Sequence, residues 1–422
     1  MSKNSINNLY NESSALLEGI KVLDLSRILA GPWASQALAD FGATVWKIEK
    51  PGVGDDTRHW GPPYLNRDSK KASLSAYFMA ANRGKYSICI DLTKKQGQLL
   101  IIELARKADI LIENFKVGSL KKYGLDYPSL CQVNPSLIYC SITGFGQTGP
   151  RASEAGYDAM IQALGGLMSI TGASDKEGEK ECGKAQKVGV AVTDLMTGMY
   201  ATTGILAALN YRNATGIGQH IDLSLLDTQI AMLANQGMNY LVSGNIPLRY
   251  GNGHPNIVPY QTFSCNDGEI LLAVGNDEQF KKTCQLLGLA ELSEDDRFKS
   301  NKQRVINRNS LIPQLAKVFL TESYDHWLRL LNEVGVPCGP VNNIQQALDD
   351  PQVKHRNLLF DLMDKHDKKV PQIANPLKFS KLDLSYHLAP PILGDSTNDV
   401  LCKELNLSEA EISELKSKGV IK

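Results

Sequence analysis

Asp175 is the first residue in the chain whose type and setting suggest chemistry. It sits in TGASDKEG, a glycine-bearing loop just after a predicted helix. A loop aspartate ordinarily serves as a solvated turn former or a cap. A carboxylate that its site desolvates and orients is also a covalent nucleophile, and glycines nearby let backbone N–H groups reach a developing oxyanion. The motif by itself leaves both roles open. Asp158, in YDAMIQALGG, has a similar pair of readings, and the helix cap is the simpler. Asp194, in GVAVTDLMTGMY, reads as a buried or capping acid ahead of a general base.

A second set of residues is distributed. Lys50, Arg58, Arg83, Lys85, Lys121, Lys122 and Arg151 all fall in or near loops at predicted strand ends. Ligands of open α/β sheets bind outside the carboxyl ends of the strands, so a nucleotide diphosphate would be drawn there, helped by helix N-termini. Taken singly, most of these are ordinary surface charges. A dinucleotide site is excluded. The turn after the first strand reads SRILAGP, not GxGxxG, and Glu49 alone does not supply the glycines that admit a pyrophosphate. Eight cysteines are scattered without a CxxC pair or a zinc-spaced histidine, which predicts buried thiols in a reducing compartment and no metal site.

The elements that must position these groups follow a βαβ pattern. GIKVLDLS and ATVWKIEK read as strands around a helix that Pro32 starts and Gly42 stops. Further strands are predicted at 86–92, DILIENF and LIYCSITGF, and helices over 94–108 and 126–134. YDAMIQALGGLM reads as one helix, and TGASDKEGEKECGK as a long exposed loop. A helix over 191–213 carries Gly198, Ala201, Gly204, Ala207 and Ala208, small residues that allow close backbone approach; QHIDLSLLD then enters a helix running through 243. This predicts a Rossmann-like parallel sheet covered by helices. The expected organisation is a flexible N-terminus (1–18), a large domain (19–235), a linker (236–259), a small α/β domain (260–342) and a return segment (343–422) that completes the large domain.

Composition bounds the partners. In 422 residues, 45 Lys+Arg balance 45 Asp+Glu, so no global basic excess points to nucleic acid or anionic membrane. No apolar run reaches membrane-spanning length, and the N-terminus resembles neither a secretory signal nor a transit peptide. The expectation is a cytoplasmic, soluble protein.

Several stretches, in order along nearly the whole chain, carry a family resemblance. They are VLDLSRILAGPWASQALADFGATVWKIEKPGVGDDTR, DILIENFKVGSL, ITGFGQTGP, TGASD, GILAALNYRNATGIGQHIDLSLLD, VPCGPVNN and APPILGDST. The sequence resembles the family III CoA-transferases of CaiB/BaiF type. GNGHPNIVPYQTF and the stretch through VPCGPVNN look closest to the succinyl-CoA:glutarate branch. The resemblance implies an interlocked homodimer and a CoA-transferase that uses acyl-CoA as substrate and keeps no permanent cofactor. It implies Asp175 as nucleophile, forming an aspartyl anhydride and then an aspartyl–CoA thioester. CoA contacts would fall on Leu29, Ala30, Lys50, Ile90, Asp91, Leu92, Thr93, Asn114, Phe115, Lys116, Lys122, Thr143, Gly144, Phe145 and Gly146.

Three departures refine the expectation. Leu29 stands where the oxalate branch has glutamine, and GNGHPN replaces its run of four glycines, which turns the reading from oxalate toward a dicarboxylate such as glutarate, with oxalate, malate and carnitine as the alternative acceptors. Tyr157 stands where the racemase branch has histidine; a phenol is a poor proton carrier near neutral pH, so acyl transfer is favoured over racemisation. Arg58, Arg249 and His254 are loop candidates for holding a dicarboxylate's distal group.

Overall fold

A computed structural model describes residues 15–65, 74–175 and 184–422. By contact the chain forms two compact units, one of residues 1–165, 189–234 and 354–422, the other of 166–188 and 235–353. The sequence reading drew its lines elsewhere: 166–188 groups with the second unit rather than the large domain, and so do 235–259 and 343–353. Most of the N-terminal segment expected to be loose lies outside the described residues. Its end does not fray, because Leu17 donates its backbone N–H to the Phe41 carbonyl at 2.8 Å.

The first unit begins with β1 (Lys21–Asp24), α1 (Ala30–Asp40) and β2 (Thr44–Glu49), followed by a short hairpin of β3 (Tyr64–Leu65) and β4 (Leu74–Ser75). Next come α2 (Ala76–Ala80), β5 (Lys85–Cys89), α3 (Lys95–Lys107), β6 (Ile110–Glu113), α4 (Tyr127–Val133), β7 (Ile138–Thr143) and α5 (Asp158–Leu164). The chain leaves for α6 (Leu167–Ile170) and returns with α7 (Val192–Thr215), β8 (His220–Ser224) and α8 (Leu225–Ala231). Six strands pair in the order β5-β2-β1-β6-β7-β8, every pair parallel.

Alternation explains why both faces are covered. Val22, Val45, Ile110 and Ile138 pack with Ala34 and Leu38 of α1 and Ala201 and Ile205 of α7. Their neighbours Leu23, Trp46, Leu111 and Tyr139 point the other way, onto Leu100, Ile101 and Leu104 of α3 and Leu130 of α4. The small residues of α7 act as expected: a Cβ on Gly198 would lie 2.7 Å from the Ala30 carbonyl oxygen and 3.0 Å from Trp33.

The second unit holds nearly all of α9 (Ala234–Ser243), β9 (Tyr260–Ser264), β10 (Glu269–Ala273), α10 (Asp277–Leu286), α11 (Asn301–Ile306), α12 (Arg308–Phe319), α13 (Tyr324–Glu333), β11 (Cys338–Pro340), α14 (Ile344–Asp349) and most of α15 (Pro351–His355). Its antiparallel sheet, β11-β10-β9, packs Phe263, Ile270 and Leu272 against Phe280, Leu311, Leu315 and Trp327. The chain then re-enters the first unit through the β12 (Leu359–Met363) and β13 (Lys369–Ile373) hairpin, α16 (Thr397–Leu405) and α17 (Glu409–Ser417). Val400, Leu401, Ile412 and Leu415 of the last two helices join the same core as α3.

Two expected helices are broken. YDAMIQALGGLM divides at Gly165–Gly166, where Gly166 takes φ +83°. The helix expected to run through 243 divides before Ala234, which has φ +44°. Among the described residues no helix is long and apolar enough to cross a membrane, and no three His, Cys, Asp or Glu side chains cluster to hold a metal ion.

Candidate active site

The strand order of the first unit reverses between β1 and β6, and a cavity of about 350 Å³ opens at the carboxyl ends of the strands there. Loops after β1, β2, β5 and β6 form it. Six expected CoA contacts line it, namely Lys50, Ile90, Asp91, Leu92, Thr93 and Phe115. Arg27, Val53, Asp56 and Tyr123 also line it, and the sequence reading missed them because no local motif marks them. The Asp91 carboxylate turns back on Thr93, accepting from its N–H at 2.9 Å and its hydroxyl at 2.7 Å.

Asn114 stands behind the wall. Its amide donates to the Arg27 carbonyl at 2.7 Å and accepts from the Arg27 N–H at 2.9 Å, tying the β6 loop to the β1 loop. That clamp holds Arg27 5.9 Å from the Phe115 ring. Lys122 places its ammonium 4.7 Å from the Tyr123 ring, and Lys116 is exposed on the loop after β6. Leu29 and Ala30 are buried at the start of α1. The Thr143–Gly146 turn ends β7, with the Thr143 hydroxyl accepting from the Gly146 N–H at 2.9 Å. Gly144 presses against Gly156, and Phe145 lies 4.1 Å from the Arg151 guanidinium. None of Leu29, Ala30, Asn114, Lys116, Lys122 and Thr143–Gly146 is among the cavity-lining residues.

Lys47, Glu49 and Asp55 of the cavity wall belong to buried charge pairs, and in the first unit several expected anion receptors prove to be spoken for. Arg58 grips Glu49 through two contacts of 2.8 and 2.6 Å and donates to the Pro391 carbonyl at 3.0 Å. It therefore has no face for a substrate carboxylate, correcting that expectation. Arg83 is likewise paired with Asp40 at 2.8 and 2.7 Å. Lys85 faces Asp24 at 3.3 Å, and burial draws its ammonium down to about 7. Lys85, Asp24 and Glu49 lie on parallel strands covered on both sides, and a charge in such a strand must find its partner there.

Asp55 is the hub of this set. Lys47 donates to it at 2.9 Å, and the Thr57 N–H and hydroxyl donate at 3.0 and 2.7 Å. Burial alone would raise its pKa, but Lys47 and Thr57 together hold the carboxyl down at about 2. Its two oxygens also accept from the Ile28 N–H at 3.3 and 3.2 Å. Ile28 has φ +72°, a left-handed conformation that a β-branched side chain strongly disfavours. A fixed carboxylate thus holds a strained turn between β1 and α1.

Asp175 lies in the second unit, three residues after Gly172, which bridges to Ala185. Gly172 is required there: φ is +127° and a Cβ would sit 2.5 Å from the Lys184 carbonyl. Asp175 and Arg249 pair in both directions. The Asp175 N–H donates to the Arg249 carbonyl at 2.9 Å, and the Arg249 N–H donates to Oδ2 at 3.0 Å. The Arg249 Nη2 donates to Oδ1, and its Nη1 to the Ser169 carbonyl at 3.2 Å. The carboxylate is thus oriented and mostly withdrawn from water. His254 is used locally, its Nδ1 accepting from the Asn256 N–H at 3.0 Å. Burial and the nearby Arg308 lower its pKa.

Asp158 does cap a helix, though not its own. Its Oδ1 accepts from the Thr193 and Asp194 N–H groups at 2.9 and 3.3 Å, at the start of α7. Asp194 follows inside that first turn, where burial and then the Asp158 charge push it up to about 7. Tyr157, in the racemase-branch histidine position, is 65% exposed in the single chain.

Comparison with known proteins adds an independent line. The family model described as CoA-transferase family III matches residues 17–397. A succinate–glutarate CoA-transferase of Agrobacterium fabrum is 47% identical over 92% of this chain and 95% of its own length. A human succinyl-CoA:glutarate CoA-transferase is 42% identical over 96% of this chain and 90% of its own. A CAIB/BAIF family protein from Brucella suis, known from a crystal structure, is 47% identical and superposes with a TM-score of 0.81 over 93% of this chain and 100% of its own. Matches of this identity, extending from the first strand into α16, show that the protein belongs to CoA-transferase family III and is a CoA-transferase.

Proposed function

We propose that this enzyme moves CoA from succinyl-CoA to a dicarboxylic acid, glutarate foremost, with Asp175 as the nucleophile. The observation that carries the reading is the Asp175 carboxylate itself, fixed by backbone and side chain of Arg249 and largely shielded from water. Relatives at 40–47% identity named for succinate and glutarate support the choice of substrates. In this mechanism Oδ1 or Oδ2 of Asp175 attacks the thioester carbonyl and expels the CoA thiolate, leaving a mixed anhydride. The thiolate returns to the aspartyl carbonyl and releases succinate, leaving an aspartyl–CoA thioester. The acceptor carboxylate attacks that carbonyl, and the thiolate then takes up the new acyl group. One thioester replaces another, so the task is to lower barriers and exclude water.

The cavity at the β1/β6 switch suits the nucleotide end of CoA. Arg27 and Lys50 at its rim provide cations for phosphates, and Phe115 and Tyr123 provide ring faces for a base. Leu29, Ala30, Asn114, Lys116, Lys122 and Thr143–Gly146 belong in this reading to the wider CoA contact region. The enzyme works in this reading as a cytoplasmic homodimer. Its seven described cysteines are free thiols, and Leu241, Val242 and Ile246 leave 74%, 82% and 80% of their surface uncovered in the single chain.

The test is incubation with succinyl-CoA and a panel of acids (glutarate, malate, oxalate, carnitine), with new CoA esters followed by mass spectrometry. Glutaryl-CoA forming fastest is the expected result. Another winner overturns the acceptor, and α-proton exchange from solvent without any acceptor overturns the transferase mechanism.

A further inference from the structure

The three residues expected to hold a dicarboxylate's distal group each have a partner. Arg58 grips Glu49, Arg249 grips Asp175, and His254 accepts from the Asn256 N–H. The second unit holds another cation. Among the described residues every arginine pairs with a carboxylate except Arg308 and Arg356. Arg356 is exposed, whereas Arg308, the first residue of α12, is half-buried. A guanidinium keeps its charge in a protein, and burial disfavours that charge. Arg308 lacks the anion that such a place favours.

Neutral groups hold Arg308 in place. Nη1 donates to the His254 carbonyl at 3.1 Å and Nη2 to the Pro255 carbonyl at 2.6 Å, and the guanidinium carbon lies 4.4 Å from the Tyr250 ring. Each of these nitrogens carries a second N–H for a carboxylate to accept. All three anchors belong to one turn that starts at Asp175. Tyr250 directly follows Arg249, whose N–H donates to the Asp175 carboxylate at 3.0 Å and whose carbonyl accepts from the Asp175 N–H at 2.9 Å. Gly251 takes φ +59° and lies so near the Asp175 loop that a Cβ on it would sit 3.6 Å from the Ser174 nitrogen. The Gly253 N–H then donates to the Tyr250 carbonyl at 2.9 Å, closing the turn. Asp175 stands at one end of this turn and Arg308 braces the other.

We propose that Arg308 receives the carboxylate that does not react, the distal group of the acceptor acid and, in the donor step, the free carboxylate of the succinyl group. This rests on the reading of the enzyme as a dicarboxylate CoA-transferase working through Asp175. Both acyl groups are joined in turn to the Asp175 carboxylate, so their tails run from the same atom and differ by one methylene. One receptor therefore serves both. A guanidinium suits the task because its planar fork matches a carboxylate, and a monocarboxylic acid of equal length brings nothing for it to hold. Loop position singled out Arg58, Arg249 and His254 in the sequence; Arg308 is hidden there because it opens a helix 133 residues after Asp175.

The experiment measures kcat/KM for glutarate and for pentanoate (a monocarboxylate of the same length), with succinyl-CoA as donor, in wild type, Arg308→Gln and Arg308→Lys. The quantity read is the preference, the glutarate value over the pentanoate value. Arg308→Gln keeps an amide donor for the turn but no charge, and its preference is expected to fall about 10- to 100-fold. Arg308→Lys keeps the charge without the fork and should lose a smaller part. The preference for succinyl-CoA over butyryl-CoA as donor should fall in the same order. A residue that merely braced the turn would lower transfer to both acids together and leave the preference unchanged, which overturns the proposal. An equal loss with both CoA donors and no change in preference also overturns it, since Arg308 would then serve the CoA phosphates. Thermal melting identifies a variant that has unfolded; if Arg308→Gln has, an unchanged preference in folded Arg308→Lys overturns the proposal. The wild type separates this from the underlying reading. No preference for glutarate in the wild type defeats the dicarboxylate reading itself, whereas a wild-type preference that survives in folded Arg308→Gln defeats only the role of Arg308.

Discussion

Asp55 shows what single residues contribute here beyond catalysis. It and Lys47 are both fully buried at the side chain, so each charge depends on the other. Asp55→Asn is expected to cost about 3–5 kcal/mol of unfolding free energy by leaving Lys47 unpaired, measured by denaturant titration at pH 7. The same pair sets a pH dependence. The folded-state pKa of Asp55, about 2, lies below its ordinary 3.8. Its stabilisation is therefore fully present above about pH 4 and is lost as pH falls toward 2, in the order of 2 kcal/mol. The Asn variant should lack that share of acid sensitivity. A variant as stable as the wild type at pH 7 would contradict the account. Asp175 was singled out through the family resemblance rather than its motif alone, and the sequence could not reveal Arg249 as its partner, because 74 residues separate them and only the fold closes that distance. Arg58 misled for a similar reason: its loop position suggested solvent, and only tertiary packing joins it to Glu49.

At the scale of elements, the turn from β1 into α1 is the place where local preference and fold disagree. Ile28 takes a left-handed conformation because Asp55, 27 residues on, accepts its N–H. Strain of this kind costs about 1–3 kcal/mol and persists only where the surroundings impose it. Loss of Asp55 lets the strained Ile28 turn relax and recovers part of that energy, which a glycine turn does not store, so Asp55→Asn should cost about 1 kcal/mol more in the Ile28→Gly background than in the wild type. A double-mutant cycle by denaturant unfolding measures this, and strict additivity would rule the coupling out. The strands of the main sheet were legible from their apolar runs, and α3, α4 and α7 lie close to the expected helical stretches. The breaks at Gly166 and Ala234 were not, since a helical pattern runs through both and only the positive φ values end it. The buried Lys47 and Lys85 were not either, because a lysine in a strand reads as an exposed position until both faces of the sheet are known to be covered.

For the whole molecule, sequence order made the parallel α/β architecture legible, and collinear motifs marked the family. The grouping of 166–188 with 235–353 was hidden, since nothing in composition marks a segment that leaves one unit and returns. The apolar side chains left uncovered on the single chain predict a homodimer, which sedimentation equilibrium should report at twice the 46.3 kDa chain mass; a monomer at micromolar concentration would contradict that. The central claim, CoA transfer through Asp175, is tested most directly by following glutaryl-CoA formation from succinyl-CoA and glutarate by wild type and Asp175→Ala at matched concentration, with folding of the variant checked by its melting transition. The account predicts that the variant still binds CoA and makes no glutaryl-CoA. Turnover by folded Asp175→Ala within about tenfold of wild type, well short of the loss expected on removing a covalent nucleophile, would contradict it.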